Sequence, residues 1–360
     1  MASRTNDDLA YVGCRTTRER GATGTGVTTL VRADDGWHST ETLETFDNPS
    51  WLAQAGRPDR LYSLHGDRSH VSSFSCDPNT GRLEFLSRIS CGGLNPVHLC
   101  PTPDGAALLC ANYATGSLAT LPLNANGEAE PPRRLSTLPF AQGPHRVEQK
   151  GPHPHQIVPS PGATAVLVPD KGADRVCVYD IDSDTQEIAL KPSSVFEARE
   201  CSGPRHLVFH PRLPIAYVVG ELNSTVTACA WDEGLNQLTP IATLSTLPHS
   251  FCGNSRGAAI EITSDGRWLF VSNRGHDSVA VFALDNSGNL DRVEVVQTGG
   301  RVPRFMTLDP TEESLWIAHE VSNEILVLEL NPSTGLSREH ARRIETPSPT
   351  CILFPATVRN

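Results

Sequence analysis

The sequence predicts an all-β chain: a seven-bladed β-propeller of four-stranded antiparallel blades, closed by pairing its N- and C-terminal strands. Three observations carry that expectation. Runs of four to six residues with apolar side chains at alternate positions recur along the 360 residues, the period of half-buried strands. Gly and Pro supply 28 residues each, so turns are frequent, and amphipathic helical patterns are scarce. A polar corner closes an apolar strand at Gly66, Tyr113, Lys171, Glu221, Arg274 and Glu320. The steps are 47, 58, 50, 53 and 46 residues, close to one propeller blade.

The units follow in order. Leu9 to Gly13 reads as a short strand, followed by a Gly-rich hairpin and Val27 to Val31. Asn48-Pro-Ser-Trp-Leu52 leads to Arg60 to Gly66, then Val71 to Phe74 and the turn Asp77-Pro-Asn-Thr-Gly81. Asn95-Pro-Val-His98 leads to Ala107 to Tyr113, then Ser117 to Leu121. Gly151-Pro-His-Pro-His155 opens the next unit, with strands up to Asp170-Lys171-Gly172 and then Arg175 to Tyr179. Gly203-Pro-Arg-His206, Asn254-Ser-Arg256 and Val302-Pro-Arg-Phe305 open three more. Ser348-Pro-Thr-Cys-Ile-Leu-Phe354 matches the first strand of a unit and Tyr11-Val-Gly13 a second strand. The two ends are therefore expected to share one blade, leaving no free sheet edge. Residues 1–360 read as one domain with a flexible tail over 1–8, and the insert Ala141 to Gly151 reads as a loop on the face of the site.

A net charge of -11 argues against nucleic acid or an anionic membrane as the main partner. No run of about 18 apolar residues is present, and the start lacks the apolar core of a signal peptide. Ten cysteines without a secretion signal and without a Cys-x-x-Cys pair suggest reduced thiols in the cytoplasm, acting as small buried hydrophobes.

In a propeller the start of each inner strand and the end of the strand returning beside it meet on one face, around the central channel. Counting back 15 residues from the residue before each corner gives Ser50, Val97, His155, Arg205, Ala258 and Arg304, with Thr350 from the closing strand. The corner column adds Lys171, Glu221, Arg274 and Glu320. Charges gathered beside a narrow channel are costly to desolvate, so the columns read as an anion-binding pocket with acid/base capability. The alternative is an ion-pair network that neutralises itself, with Glu221 bridging arginines. His155 is the candidate base, Arg205 and Arg274 the anion or oxyanion ligands, and Glu221 either orients the base or donates a proton. His98, His145, Lys150, His153, Lys171, Asn254, Arg256, Asn273 and Arg304 are candidate substrate-binding residues. No third ligand accompanies His153 and His155, so no metal is expected. The Gly-x-Ser-x-Gly elbow and the Gly-rich phosphate loop are absent, so neither serine-hydrolase chemistry nor a nucleotide cofactor is expected.

Gly-Pro-His-Pro-His, Val-Pro-Asp-Lys-Gly-Ala-Asp-Arg-Val, Gly-Pro-Arg-His-Leu-Val-Phe-His-Pro and Ser-Asn-Arg-Gly-His-Asp-Ser-Val, each in register, resemble the seven-bladed propeller lactonases. That family includes propeller-type 6-phosphogluconolactonases and the fungal 3-carboxy-cis,cis-muconate cyclase. The resemblance covers essentially the whole chain and implies a histidine, arginines and a glutamate at the channel mouth, at the positions of His155, Arg205, Glu221 and Arg274. Gln156 replaces an acid usual in the family, Gly220 an Asn, and Ala-His-Glu at 318 to 320 an Ala-Asn pattern. A metal- and cofactor-independent lactonase acting on a small anionic lactone is the first reading. A cycloisomerase acting on a dicarboxylate is the second, and a non-catalytic scaffold the third.

Overall fold

Each apolar run is a strand because its alternate side chains can bury between neighbouring sheets while the strand ends stop at Gly, Pro, Asn or Asp turns. The computed structural model describes residues 8–182, 184–185 and 187–355, and it arranges these strands in seven four-stranded antiparallel sheets. The tail expected over residues 1–8 lies outside the described residues, apart from Asp8.

The sheets take the strands in sequence. The second blade holds β4 (Pro49–Ala53), β5 (Arg60–His65), β6 (His70–Cys76) and β7 (Leu83–Ser90). The third holds β8 (Pro96–Pro101), β9 (Ala107–Asn112), β10 (Ser117–Pro122) and β11 (Arg134–Thr137). The fourth holds β12 (Val158–Pro159), β13 (Ala165–Asp170), β14 (Arg175–Asp180) and β15 (Ser194–Glu197). The fifth holds β16 (Pro204–Phe209), β17 (Ile215–Gly220), β18 (Thr225–Asp232) and β19 (Gln237–Ser245). The sixth holds β20 (Arg256–Ile262), β21 (Trp268–Arg274), β22 (Ser278–Leu284) and β23 (Leu290–Gln297). The seventh holds β24 (Pro303–Leu308), β25 (Ser314–His319), β26 (Glu324–Asn331) and β27 (Gly335–Glu345). The first blade is shared by both ends: β28 (Pro349–Leu353) pairs with β1 (Leu9–Cys14), followed by β2 (Gly26–Ala33) and β3 (Gly36–Glu44). Closure thus happens as the sequence predicts, through pairs such as Tyr11 with Leu353 and Val12 with Ile352.

The core lies between blades rather than in one centre. Tyr62, Leu64, Leu108 and Cys110 pack between the second and third, and Tyr217, Val219, Leu269 and Val271 between the fifth and sixth. Eight of the ten cysteines are buried and all ten carry free thiols, the small-hydrophobe role expected of them.

One local feature positions the site. Six inner strands slip register against their partner near the start, between Pro49 and Trp51, Pro96 and His98, Pro204 and His206, Gly257 and Ile260, Pro303 and Phe305, and opposite Gly13/Cys14 in β28. These are β-bulges, which re-aim a side chain and turn two successive residues toward one side. The bulged residues are Ser50, Val97, Arg205, Arg304 and Thr350, with Ala258 in the longer bulge of β20. All belong to the column counted from the sequence. Proline precedes five of them, and its missing N–H leaves no ladder bond to lose there.

Candidate active site

Ser50, Val97, His155, Arg205, Arg304 and Thr350 line one small enclosed cavity at the channel mouth, together with Arg15, Trp51, His206 and Phe305. Six of the seven positions in the inner-strand column therefore converge. Ala258, the seventh, contributes its carbonyl, which accepts a hydrogen bond from Arg205 Nη1 at 2.6 Å. The cavity measures about 10 Å3, the size of a single water site. Its floor is aromatic: Trp51 lies 4.3 Å from His98, 5.6 Å from Phe305 and 5.9 Å from His206, centroid to centroid. A far larger groove of about 1470 Å3 runs along the turns at the opposite ends of the strands, but no column residue reaches it.

Above the floor stand two carboxylate-centred clusters. Glu221, 3% exposed, holds Lys171 Nζ at 3.0 Å, Arg274 Nη2 at 3.0 Å and Arg205 Nε at 3.1 Å, with Arg256 at 3.7 Å. Burial pushes its pKa up, but Arg274, Lys171 and Arg205 together outweigh burial and hold it well below the usual carboxylate range. Glu221 is therefore a fixed anion. Three cations stabilise its charged form, which favours the orienting role over the proton-donor role considered for it from the sequence. Glu320 anchors the second cluster more loosely, at 3.5 Å from Arg304 and 3.8 Å from Arg15. Its carboxyl too is held low, with Arg304 and Arg15 outweighing burial.

His155 is 7% exposed and faces the cavity, and its Nδ1 is buried with no hydrogen-bond partner. Its backbone N–H donates to the Pro169 carbonyl, which fixes the residue beside β13. Burial first, then Arg205, Arg304 and Lys171, hold its pKa well below that of an ordinary histidine, so the ring is neutral. His206 beside it is lowered as well, by burial first and then by Arg205, His155 and His98.

The other residues expected at the site separate into three groups. Lys171, Arg256 and Arg304 join the clusters just described. His98 belongs to the floor, and its Nδ1 accepts from the Ile157 N–H at 3.4 Å. His153 stacks flat on Tyr113 at 4.4 Å and donates its Nδ1–H to the Tyr113 carbonyl at 2.9 Å, bracing the mouth wall. His145 caps a loop turn through the N–H groups of Val147 and Glu148. Four of the expected residues lie off the cavity. Asn273 is fully buried away from the cavity, tied to Thr246 and Ser278, because strand alternation turns it opposite to Arg274. Lys150 and Asn254 are exposed loop residues outside both clusters. Arg274 stands behind Glu221 rather than on the cavity, donating also to the Gly257 carbonyl at 3.2 Å. Gln156, at the position of the family's acid, accepts the Leu207 N–H and ties two blades together.

Sequence reasoning missed Arg15 and Glu148. Arg15 is the corner of the first blade, and it reaches the cavity because Gly66 leaves room: a Cβ there would sit 2.5 Å from Arg15 Nη1 and from Ser50 Oγ. Its spacing of 51 residues before Gly66 falls within the corner period and was a usable signal. Glu148 lies in the insert and bridges Lys171 at 2.8 Å and Arg256 at 2.7 Å. The insert does lie on the face of the site, as expected from the sequence. Among the described residues no three His, Cys, Asp or Glu side chains gather into a metal-ligating group.

A closed seven-bladed propeller with a buried neutral histidine and a cationic mouth defines the class: a small-molecule site on a ring scaffold. Residues 9–354 match the family model described as "Lactonase, 7-bladed beta-propeller", and the chain belongs to that family. A 6-phosphogluconolactonase of Bacillus subtilis (strain 168) is 32% identical over 310 residues, covering 85% of this chain and 87% of its own length. Among solved structures, the Pseudomonas aeruginosa periplasmic gluconolactonase superposes with a TM-score of 0.85 at 28% identity, covering 97% of this chain and 99% of its own. A Lactobacillus plantarum protein gives 0.87 at 26% identity, covering 96% and 98%.

Proposed function

We propose that this lactonase hydrolyses a small lactone bearing an anionic group, of the 6-phosphogluconolactone kind, without a metal. The observation that carries the reading is the charge imbalance at the mouth. Among the described residues, Arg15, Lys171, Arg205, Arg256, Arg274 and Arg304 face only Glu148, Glu221, Glu320 and Asp67 in ion-pair contact, with Asp67 shared by Arg20, in a protein whose net charge is -11. A network that only neutralised itself has no reason to keep two surplus positive charges partly desolvated.

His155 acts as the general base. A water oxygen attacks the lactone carbonyl carbon as its proton passes to the neutral imidazole, and negative charge collects on the former carbonyl oxygen. Arg205 and Arg304, on the cavity with His155, stabilise that oxyanion. Collapse breaks the bond to the ring oxygen, which takes the proton back from the imidazolium, leaving a hydroxy acid whose carboxyl then releases its proton to solvent. Glu221, Lys171 and Arg274 hold Arg205 in place. In the free protein the cations weaken His155 as a base; an anionic substrate offsets their field and strengthens it upon binding. The cycloisomerase reading uses the same side chains, and the named relatives favour hydrolysis. The free thiols support the cytoplasmic setting expected from the sequence.

The test is pH-stat hydrolysis of 6-phosphogluconolactone by the wild type and His155→Gln. The variant is expected to lose about 10²- to 10³-fold in kcat/KM with unchanged unfolding temperature. The acid limb of the wild-type kcat/KM profile is expected below pH 6.5, since the histidine pKa is lowered. Full activity in the variant refutes the base assignment.

A further inference from the structure

Twenty residues separate β11 from β12, whereas three to ten separate the outer strand of each other blade from the next inner strand. The insert is held in one shape. Gly143 N–H donates to the Gly172 carbonyl, Gln149 Nε2 to the Lys171 carbonyl, and Gln149 Oε1 accepts from the His145 N–H. A side chain at Gly172 would collide with the Gly151 carbonyl, so the loop lies directly on the corner that carries Lys171.

That packing carries the Glu148 carboxylate over the mouth. It joins Lys171 of the fourth blade to Arg256 of the sixth, passing over the fifth. Arg274 and Lys171 reach Glu221 from below, so Glu148 is a second carboxylate on a cation already paired. The cavity that His155 lines has room for about one water, far less than a sugar lactone, and Glu148 is not part of its lining.

We propose, building on the lactonase reading, that Glu148 is a specificity-determining latch. Its carboxylate occupies the place of the substrate's anionic group on Lys171 and Arg256, and an incoming anion displaces it. Arg256 is half exposed, so that half of the clasp lies in water and breaks at small cost. A neutral lactone offers nothing to exchange for Glu148, so those two cations stay occupied.

Glu148→Gln keeps the shape of the side chain and removes the charge. Two readouts are compared with the wild type: kcat/KM for neutral glucono-δ-lactone and for its 6-phosphate, and calorimetric affinity for inorganic phosphate. The variant is expected to gain about tenfold on the neutral lactone, to narrow the preference for the phosphorylated one, and to bind phosphate about five- to tenfold tighter. Unchanged phosphate affinity together with an unchanged ratio of the two lactones overturns the latch. So does an equal fall on both lactones, which marks Glu148 as a brace. Phosphate binding is read without turnover: tighter binding in a protein that hydrolyses neither lactone refutes the lactonase reading alone and leaves the latch standing.

Discussion

The two carboxylate clusters at the channel mouth use the same residue types in different ways. Glu221 is clamped by three cations at 3.0–3.1 Å, while Glu320 meets Arg304 and Arg15 only at 3.5 and 3.8 Å. The backbone leading to each differs as well. Arg205 follows Gly203-Pro204, and Gly203 takes its left-handed φ of 58° at little cost; Arg304 follows Val302-Pro303, with the β-branched Val302 at φ 61°. One side is over-determined and strain-free, and the other is loosely paired and strained. The lesson is that the tight cluster positions while the loose one, with its cations at 3.5 and 3.8 Å from the carboxylate, is free to take a ligand.

The comparison can be broken most directly on stability. Glu221→Gln leaves three buried cations without their carboxylate and is expected to cost about 3–5 kcal/mol in urea unfolding at pH 7. Glu320→Gln is expected to cost less than half of that. The sign with pH follows from the lowered carboxyl: its contribution is present above the unfolded-state carboxylate pKa of about 4.3 and fades as pH falls below it. The gap between wild type and Glu221→Gln should therefore narrow on acidification. Equal costs for the two variants would erase the distinction between the clusters.

Strain sharpens it by a smaller amount. Val302→Asn, the residue found at the matching Asn48-Pro49 and Asn95-Pro96 turns, suits a left-handed backbone and is expected to stabilise the fold by about 0.5–1 kcal/mol. Gly203→Val should do the reverse. A Val302→Asn protein that melts lower than the parent means that the valine's packing outweighs its backbone strain.

Much of this arrangement was legible in the sequence because a propeller is periodic. Spacing between corners located the blades, and one fixed offset found Ser50, Val97, His155, Arg205, Arg304 and Thr350, since each sits at the same step of the same repeat. What periodicity could not supply came from places where the repeat is interrupted. Arg15 belongs to the blade assembled from both chain ends, so no preceding unit drew attention to it. Glu148 lies in an insert without a counterpart in other blades. The bulges were invisible, and they turn Trp51, His206 and Phe305 inward beside the column residues. Asn273 was misplaced because adjacent strand positions face opposite ways, and only its neighbour Arg274 points toward the mouth.

The division of labour between the clusters is tested most directly by comparing Arg304→Gln with Arg274→Gln on an anionic lactone. Both variants remove one arginine, from the loose and the tight cluster respectively. The account predicts that Arg304→Gln loses about 10²-fold in kcat/KM while its unfolding temperature stays near that of the parent, and that Arg274→Gln loses stability first and less activity per folded molecule. A folded Arg304→Gln protein with parental activity, beside an Arg274→Gln protein that is stable and inactive, would contradict it.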